Sequence, residues 1–293
     1  MNSEEVTIIG AGPGGIAAAI QLKRWGIMPL LLEKDHIGGI LINANLVENY
    51  PGFPDGIAGT ELVKLFGSQM ERIGVKPEFE MVEKLNWDGA FKIRTNAREF
   101  GSKIVIVASG TSPKRWGAFK IPEDFRKRVF YEIHPIKDIR GKRILVVGAG
   151  DAAFDYALHL SPENEVSIWN RGDIPKCLPL LWERTQQSPS IGYRANTVLT
   201  GISYANGGMN CRAQSPQGDW ELEVNYVIFA IGRLPEVTFV SDELTAIGPR
   251  LESEGLLYYI GDVKNDIYRQ TSIAVGDGVK AAMRICRIIE GSE

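Results

Sequence analysis

Two glycine clusters carry the clearest chemistry in this sequence. Gly10-x-Gly12-x-x-Gly15 follows the apolar run Val6-Thr7-Ile8-Ile9 and precedes a helical stretch from Ile16 to Trp25. In that setting Gly10 permits a tight turn, Gly12 lets the backbone approach a pyrophosphate, and Gly15 lets the helix pack closely on the strand. The helix N-terminus adds free N–H groups and a partial positive charge facing the phosphates. Met28 to Leu32 reads as a second strand, and it ends at Glu33. A carboxylate there accepts hydrogen bonds from an adenosine ribose and repels a 2′-phosphate, which favours FAD or NAD over NADP at this turn. The pattern then returns. Ile144-Leu145-Val146-Val147 leads into Gly148-x-Gly150-x-x-Ala153, a helix through Leu160 and a strand Val166–Trp169.

Positioning these turns requires parallel sheets, since a strand, a crossover helix and a second strand make a βαβ unit. The internal repeat implies two nucleotide-binding folds in one chain. Between them, apolar residues at helical spacing (Leu62, Leu65, Phe66, Ile73) predict a helix over 60–73. Extended runs around 75–79, 81–87 and 91–95 follow, with Asp88-Gly89 as a hairpin turn, and suggest a small antiparallel layer beside the parallel sheet. Lys103 to Ala108 is a buried strand, and 111–143, rich in Pro, Arg and Lys, reads as a crossover. Strands at 225–231 and 256–260 precede a long helix over 271–289. The expected fold is α/β, with two Rossmann-like, three-layer nucleotide-binding domains. The second (111–234) is inserted in a discontinuous first (1–110 and 235–293).

The remaining motifs carry a family likeness. Gly38-Gly39-Ile40-Leu41, followed by Val47-Glu48-Asn49-Tyr50-Pro51-Gly52, is similar to the flavin-embracing loop of thioredoxin reductases. Ala108-Ser109-Gly110-Thr111 resembles that family's A-T-G segment at the first crossing between domains. Gly261-Asp262-Val263, Ile267-Tyr268-Arg269-Gln270-Thr271 and Ala274-x-Gly276-x-Gly278 resemble its C-terminal FAD signature. The resemblance implies an FAD site at Gly10, Gly12, Pro13, Gly14 and Gly15, with Glu33 and Lys34 at the ribose end. Gly39, Ile40, Leu41, Asn49 and Val82 would belong to it, as would Ala108, Ser109 and Gly110. Gly261 and Asp262 would serve the ribityl or phosphate region. Arg269, Gln270, Thr271 and Ala274 would lie beside the isoalloxazine, at which the following helix can direct its dipole. By the same likeness, Gly148, Gly150 and Ala153 would bind NADPH or NADH. Where the family places paired arginines, this sequence has Arg171, with Lys176 further on.

The largest departure concerns the dithiol. Aligned back from Gly148, the family's C-x-x-C falls on Tyr131-Glu132-Ile133-His134. Disulfide exchange needs a thiolate and a resolving thiol, so thioredoxin reduction by the usual route is not expected. His134 is a candidate proton donor near the flavin, because an imidazole titrates near neutral pH, and Tyr131 is a candidate to stack on the ring. Both also read as structural loop residues. The three cysteines, Cys177, Cys211 and Cys286, are dispersed, which argues against a disulfide framework and gives no zinc-ligand pattern.

Composition narrows the function classes. The 293 residues suit two domains, and 44% hydrophobic with 24% charged residues matches a soluble globular protein. Net charge is −3 with cations scattered, so no basic stripe for nucleic acid is present. No apolar stretch reaches the length of a membrane span, and Met1-Asn2-Ser3-Glu4-Glu5 lacks the start of a secretory signal. The expectation is a cytoplasmic FAD-dependent oxidoreductase, a homodimer by resemblance. It would move electrons between NAD(P)H or a carrier protein and a non-disulfide acceptor, such as a small molecule or an electron-carrier protein. Alternatives are a ferredoxin–NADP reductase-like enzyme, a flavin-binding sensor or scaffold without turnover, and a dithiol reductase using Cys177 with Cys211.

Overall fold

A computed structural model describes residues 3–205 and 208–291. Met1 and Asn2 of the N-terminal reading, and positions 206–207 and 292–293 of the expected domains, lie outside the described residues. Along the chain come β1 (Ser3–Ile9), α1 (Pro13–Arg24), β2 (Leu30–Leu32), α2 (Gly59–Arg72), β3 (Pro77–Glu78), β4 (Val82–Trp87), β5 (Phe91–Thr95) and β6 (Glu99–Val107). Then follow β7 (Thr111–Pro113), β8 (Val129–Phe130), β9 (Arg143–Val147), α3 (Asp151–Leu160), β10 (Glu165–Trp169), α4 (Pro179–Gln187) and β11 (Ile191–Arg194). The remainder is β12 (Val198–Ala205), β13 (Gly208–Ser215), β14 (Gly218–Val224), β15 (Tyr226–Phe229), β16 (Arg233–Pro235), α5 (Asp242–Ser253), β17 (Leu257–Tyr259) and α6 (Thr271–Ile289).

These elements form two compact units. One takes the described residues up to Ile42, Val47–Ser112 and those from Leu234 on; the other takes Pro113–Arg233 together with Asn43–Leu46. The chain of the second therefore interrupts that of the first, and both are α/β with Rossmann-like parallel strands. At the passages between them, the Glu236 N–H donates to Gly110 O (3.0 Å) in the first unit. In the second, the Lys114 N–H donates to Gly232 O (2.9 Å).

The first unit's sheet runs β3-β2-β1-β6, all parallel, and β6 is the strand on which it turns. The first half of β6 pairs antiparallel with β5, and its second half pairs parallel with β17. The hairpin of β4 and β5 thus extends the same sheet instead of forming a separate layer beside it, because β6 is long enough to serve both partners. One face is sealed by α5, whose Leu244 and Leu251 join Leu85, Phe91, Ile93, Phe100 and Leu257 in a buried cluster. Ser241 caps α5 by accepting from the Leu244 N–H (3.2 Å), and Asp242 and Glu243 sit in its first turn, where carboxylates favour the helix dipole.

The second unit's sheet is β11-β10-β9-β15-β8, also parallel. Helices α3 and α4 cover one face through Phe154, Ala157, Leu160, Leu181 and Trp182. The antiparallel meander β12-β13-β14 covers the other, burying Met209, Cys211, Ala213 and Val224 on Leu145, Val147 and Trp169.

Candidate functional site

In the first unit the glycine turn is held by a short set of contacts. The Gly10 N–H donates to Leu32 O (2.8 Å), joining the ends of β1 and β2. Gly10 has φ +106°, and a Cβ there would lie 2.5 Å from Ala108 O, so only glycine fits. A Cβ on Gly15 would lie 1.9 Å from Gly10 O. Around Gly12 nothing comes within 4 Å of the Cβ position, so a space faces the backbone where a pyrophosphate would approach. Pro13 opens α1, and Gly12, its N-cap, has no side-chain cap, leaving the first N–H groups for a ligand.

Glu33 is buried at the end of β2, where its Oε2 accepts from the Ala11 N–H (2.8 Å) and its Oε1 from the Asp35 N–H (3.0 Å). A carboxylate has about four lone-pair sites, so both oxygens keep capacity for ribose hydroxyls. Lys34 beside it is exposed. The Gly38 N–H donates to Ala11 O (2.7 Å), which brings the Gly39-Ile40-Leu41 segment to the turn.

Helix α6 supplies the opposite wall. A Cβ on Gly14 would stand 3.0 Å from Ala274 O, and one on Gly278 would stand 2.1 Å from Gly14 O. Gly14 and Gly278 therefore let the backbones of α1 and α6 approach closely. Gln270, the N-cap of α6, makes no side-chain cap bond and instead accepts from Asn49 Nδ2 at its Oε1 (2.8 Å). Ser272 Oγ donates to Asn49 O (3.2 Å), so the loop at Asn49 is tied to the start of α6 near Arg269 and Thr271. Ser109 Oγ donates to Glu236 O (2.6 Å), fixing the segment after Ala108 and before Gly110. Val82 lies apart from these contacts, partly buried on the core in β4.

One residue escaped the sequence reading. Asp277 on α6 accepts at Oδ2 from the Gly261 N–H (3.0 Å) and from Asn265 Nδ2 (2.5 Å), so it holds the turn that presents Asp262. Its place between Gly276 and Gly278 was visible in the sequence, but the fold of the 261–265 turn over it was not.

The second unit repeats the turn. The Gly148 N–H donates to Trp169 O (3.0 Å), Gly148 has φ +142°, and its Cβ would meet Ala230 O at 2.2 Å. Gly150 again faces open space, and Ala153 is fully buried. Arg171 and Lys176 are exposed, and the Lys176 N–H donates to Ala149 O (2.7 Å), which draws the 171–176 loop onto the turn.

Tyr131 and His134 lie in the second unit. Tyr131 Oη accepts from the Trp116 N–H (2.9 Å), while its ring lies 4.6 Å from the Arg115 guanidinium and 5.6 Å from Phe229. Its hydroxyl and ring thus have partners within the unit. The His134 N–H donates to Asn43 Oδ1 (2.9 Å), and Glu132 between them accepts from Arg233 Nη1 (2.8 Å). The cysteines are all free thiols. Cys211 is fully buried in β13, and burial pushes its thiol up to about 12. Burial, then the Asp151 charge, also raises the Cys177 thiol. Cys177 packs with the helix-side cluster and Cys211 with the meander-side cluster. They lie on opposite faces of one sheet, so the dithiol alternative has no geometry to rest on.

The family model for pyridine nucleotide-disulphide oxidoreductases matches residues 4–278. The chain belongs to this family. It is 32% identical to the thioredoxin reductase of Pneumocystis carinii, over 99% of this chain and 97% of that one. It is 31% identical to NADPH-dependent thioredoxin reductase 3 of Arabidopsis thaliana over 96% of its length, and spans 57% of that relative. The crystal structure of Lactococcus lactis thioredoxin reductase in its FR conformation superposes with a TM-score of 0.86 at 27% identity, covering 98% and 99% of the two chains. Thioredoxin reductases are FAD-dependent oxidoreductases that use NADPH, and this chain is a flavoprotein oxidoreductase of their kind. Among the described residues no helix is long and apolar enough to cross a membrane.

Proposed function

We propose that this chain holds FAD on its first unit and passes electrons to an acceptor other than a protein disulfide. The observation that carries this reading is Tyr131-Glu132-Ile133-His134, which stands where the family needs two cysteines. FAD, when bound, supplies the redox centre that accepts and releases electrons. The chain's own residues bind and orient it. Gly12 gives its backbone access to the pyrophosphate, Glu33 receives ribose hydroxyls, and α1 and α6 leave their first N–H groups for anionic oxygens. Asp262, presented by the turn that Asp277 holds, would take the ribityl or phosphate region. In this reading the discontinuous FAD domain spans 1–110 and 235–293. The inserted domain (111–234) takes NADPH or NADH at Gly148, Gly150 and Ala153, with Arg171 and Lys176 at the ribose end. His134 would hold the proton exchanged at the flavin. Tyr131, already engaged through its hydroxyl, would shape that end of the site. We propose further that the protein acts in the cytoplasm as a homodimer, with a small molecule or an electron carrier as redox partner.

The test is anaerobic. The purified yellow protein is mixed with NADH, NADPH and reduced ferredoxin while flavin absorbance is followed, then with thioredoxin-type disulfides and with quinone acceptors. The expected result is flavin reduction by at least one donor and negligible turnover of disulfides. A triple Cys177→Ser, Cys211→Ser, Cys286→Ser variant should keep its flavin rates within about twofold, since all three thiols are raised above their ordinary range by burial and hold little thiolate. Robust disulfide reduction abolished by Cys177→Ser would overturn the reading, and slow reduction by every donor would favour a sensor or scaffold. His134→Ala should slow flavin reoxidation without loss of FAD; unchanged kinetics would reduce His134 to a loop residue.

A further inference from the structure

We infer that Glu132 is a positioning residue for FAD: it seats Asn43 on the second unit and thereby pins the loop 38–52 in the shape that retains the flavin. That loop carries Gly39, Ile40, Leu41 and Asn49, which the family likeness assigns to FAD. The inference deepens the proposed function and rests on it only for the placing of FAD on the first unit.

The loop is anchored in the first unit at both ends. Ahead of Asn43, the Gly38 N–H donates to Ala11 O (2.7 Å); beyond Leu46, Val47 and Ile57 exchange N–H···O bonds of 2.8 and 3.0 Å. Between these anchors the chain makes an excursion, for Asn43–Leu46 belongs to the second unit. Two asparagines fasten it there. Asn43 is 4% exposed and its amide is used on both sides. Its Oδ1 accepts from the His134 N–H (2.9 Å), and its Nδ2 donates to Glu132 Oε2 (3.4 Å). The Asn45 N–H donates to Asp155 Oδ2 (2.9 Å), and Asn45 Oδ1 lies 3.1 Å from His159 Nδ1. Asp155 and His159 stand one turn apart on α3, so they present to one face.

Glu132 has a second task. Its Oε1 accepts from Arg233 Nη1 (2.8 Å), and Arg233 opens β16, where the chain returns to the first unit. One carboxylate therefore fixes both the start of the excursion and the residue at the return passage. The side chains of Glu132 and Arg233 are 31% and 18% exposed, so solvent screens this pair less than an open surface pair. Tyr156 on α3 reports the same placement: burial, then the Glu132 charge, raises its phenol, and Arg233 opposes them. All of 131–134 is bound into the second unit. Tyr131 takes the Trp116 N–H, Ile133 is 1% exposed in the helix-side cluster, and the His134 backbone holds Asn43. Where the family needs a redox pair, this chain has a seat for its own loop. A loop pinned at its middle has less conformational freedom to lose when FAD binds, which favours retention.

The test is the rate of FAD release from the intact holoprotein, followed as the rise in flavin fluorescence after dilution. Glu132→Ala should release FAD at least roughly fivefold faster, the scale of a lost hydrogen bond between partly buried groups. Glu132→Gln, which keeps one acceptor, should fall between that variant and wild type. Asn43→Ala leaves the Glu132–Arg233 pair in place, so it tests the loop contact even where Glu132→Ala disturbs folding, and it should speed release to a similar extent. The double variant should be no faster than the faster single one, because both changes remove the same contact. Hydrogen exchange in Asn43→Ala should rise across 39–52 while β9 and α3 stay protected, which separates freeing of the loop from loosening of the unit. Unchanged release from Asn43→Ala, additive effects in the double variant, or exchange raised equally through β9 and α3 would overturn the inference. Disulfide turnover by wild type would sink only the proposed acceptor; unchanged release without disulfide turnover would sink only this inference.

Discussion

The two glycine turns share one frame, yet their surroundings differ in ways that suit different ligands. In the first unit, α6 lies against α1 at Gly14 and Gly278, and a buried carboxylate, Glu33, ends the second strand. In the second, the first residues of α3, Asp151 and Ala152, are exposed, and the strand is followed by Asn170, whose Nδ2 donates to Ile174 O (3.0 Å) within its own loop, with Arg171 and Lys176 beside it. A turn walled by a second helix suits a ligand that stays. A turn open to solvent suits one that binds and leaves. The closest backbone approach has also moved, and with it the demand for glycine at the third fingerprint position.

That last contrast is the easiest to break. Gly15→Val places a side chain inside the bond-length neighbourhood of Gly10 O, 1.9 Å away. It should cost about 3 kcal/mol or more and abolish FAD retention. Ala153→Gly at the counterpart should cost only about 1 kcal/mol, the helix penalty of glycine. Denaturant unfolding with flavin absorbance as a second probe measures both, and equal effects would show that the units do not differ here.

A cleaner separation uses the second glycines. Gly12 and Gly150 sit at φ −74° and −91°, which any residue adopts, and each faces open space. Leucine at either position should therefore fold normally and act on ligands alone. Gly12→Leu should yield colourless protein, and Gly150→Leu should stay yellow but lose nicotinamide-nucleotide binding by titration. Loss of FAD from the Gly150 variant would mean that the two sites are not independent.

These contrasts also show what the sequence made legible. Both turns, the repeat and the 271–289 helix follow from short-range patterns, because strand, glycine spacing and helix are neighbours in the chain. Helix α5 did not read as one, since Gly248 and Pro249 inside it look like breakers. Its Ser241 cap and the burial of Leu244 and Leu251 outweigh them. The meander β12–β14 was missed because its alternation is interrupted, with a register shift between Leu199 and Gly201. Asp277 needed tertiary geometry: it resembles a solvated helix acid until the Gly261 N–H and Asn265 are folded over it.

The smallest effect distinguishes the units by pH. Burial holds the His159 imidazole below its ordinary range, aided by the Lys137 charge and opposed by the Lys137 carbonyl and Asp138. Its Nδ1 lies 3.1 Å from Asn45 Oδ1, and Asp155 one turn earlier accepts from the Asn45 N–H. With a depressed folded value, the unfolded chain binds the proton first as pH falls, so stability rises with pH across that window. The contribution is present above about pH 6.5, the ordinary histidine value, and is lost on acidification. Calorimetric melting between pH 7 and pH 5 should show a falling midpoint, with a shallower slope in His159→Gln. An identical slope in the variant would remove His159 as the cause.

The contact of Gly14 with Ala274 and Gly278 also bears on how the molecule is made. Helix α1 leaves the ribosome early, and α6 is the last described element to follow, after the whole second unit. Until then the first glycine turn lacks its wall. A contact of such long sequence separation forms late and slowly, so flavin capture becomes a checkpoint on the synthesis of α6: chains arrested within the inserted unit should emerge without colour.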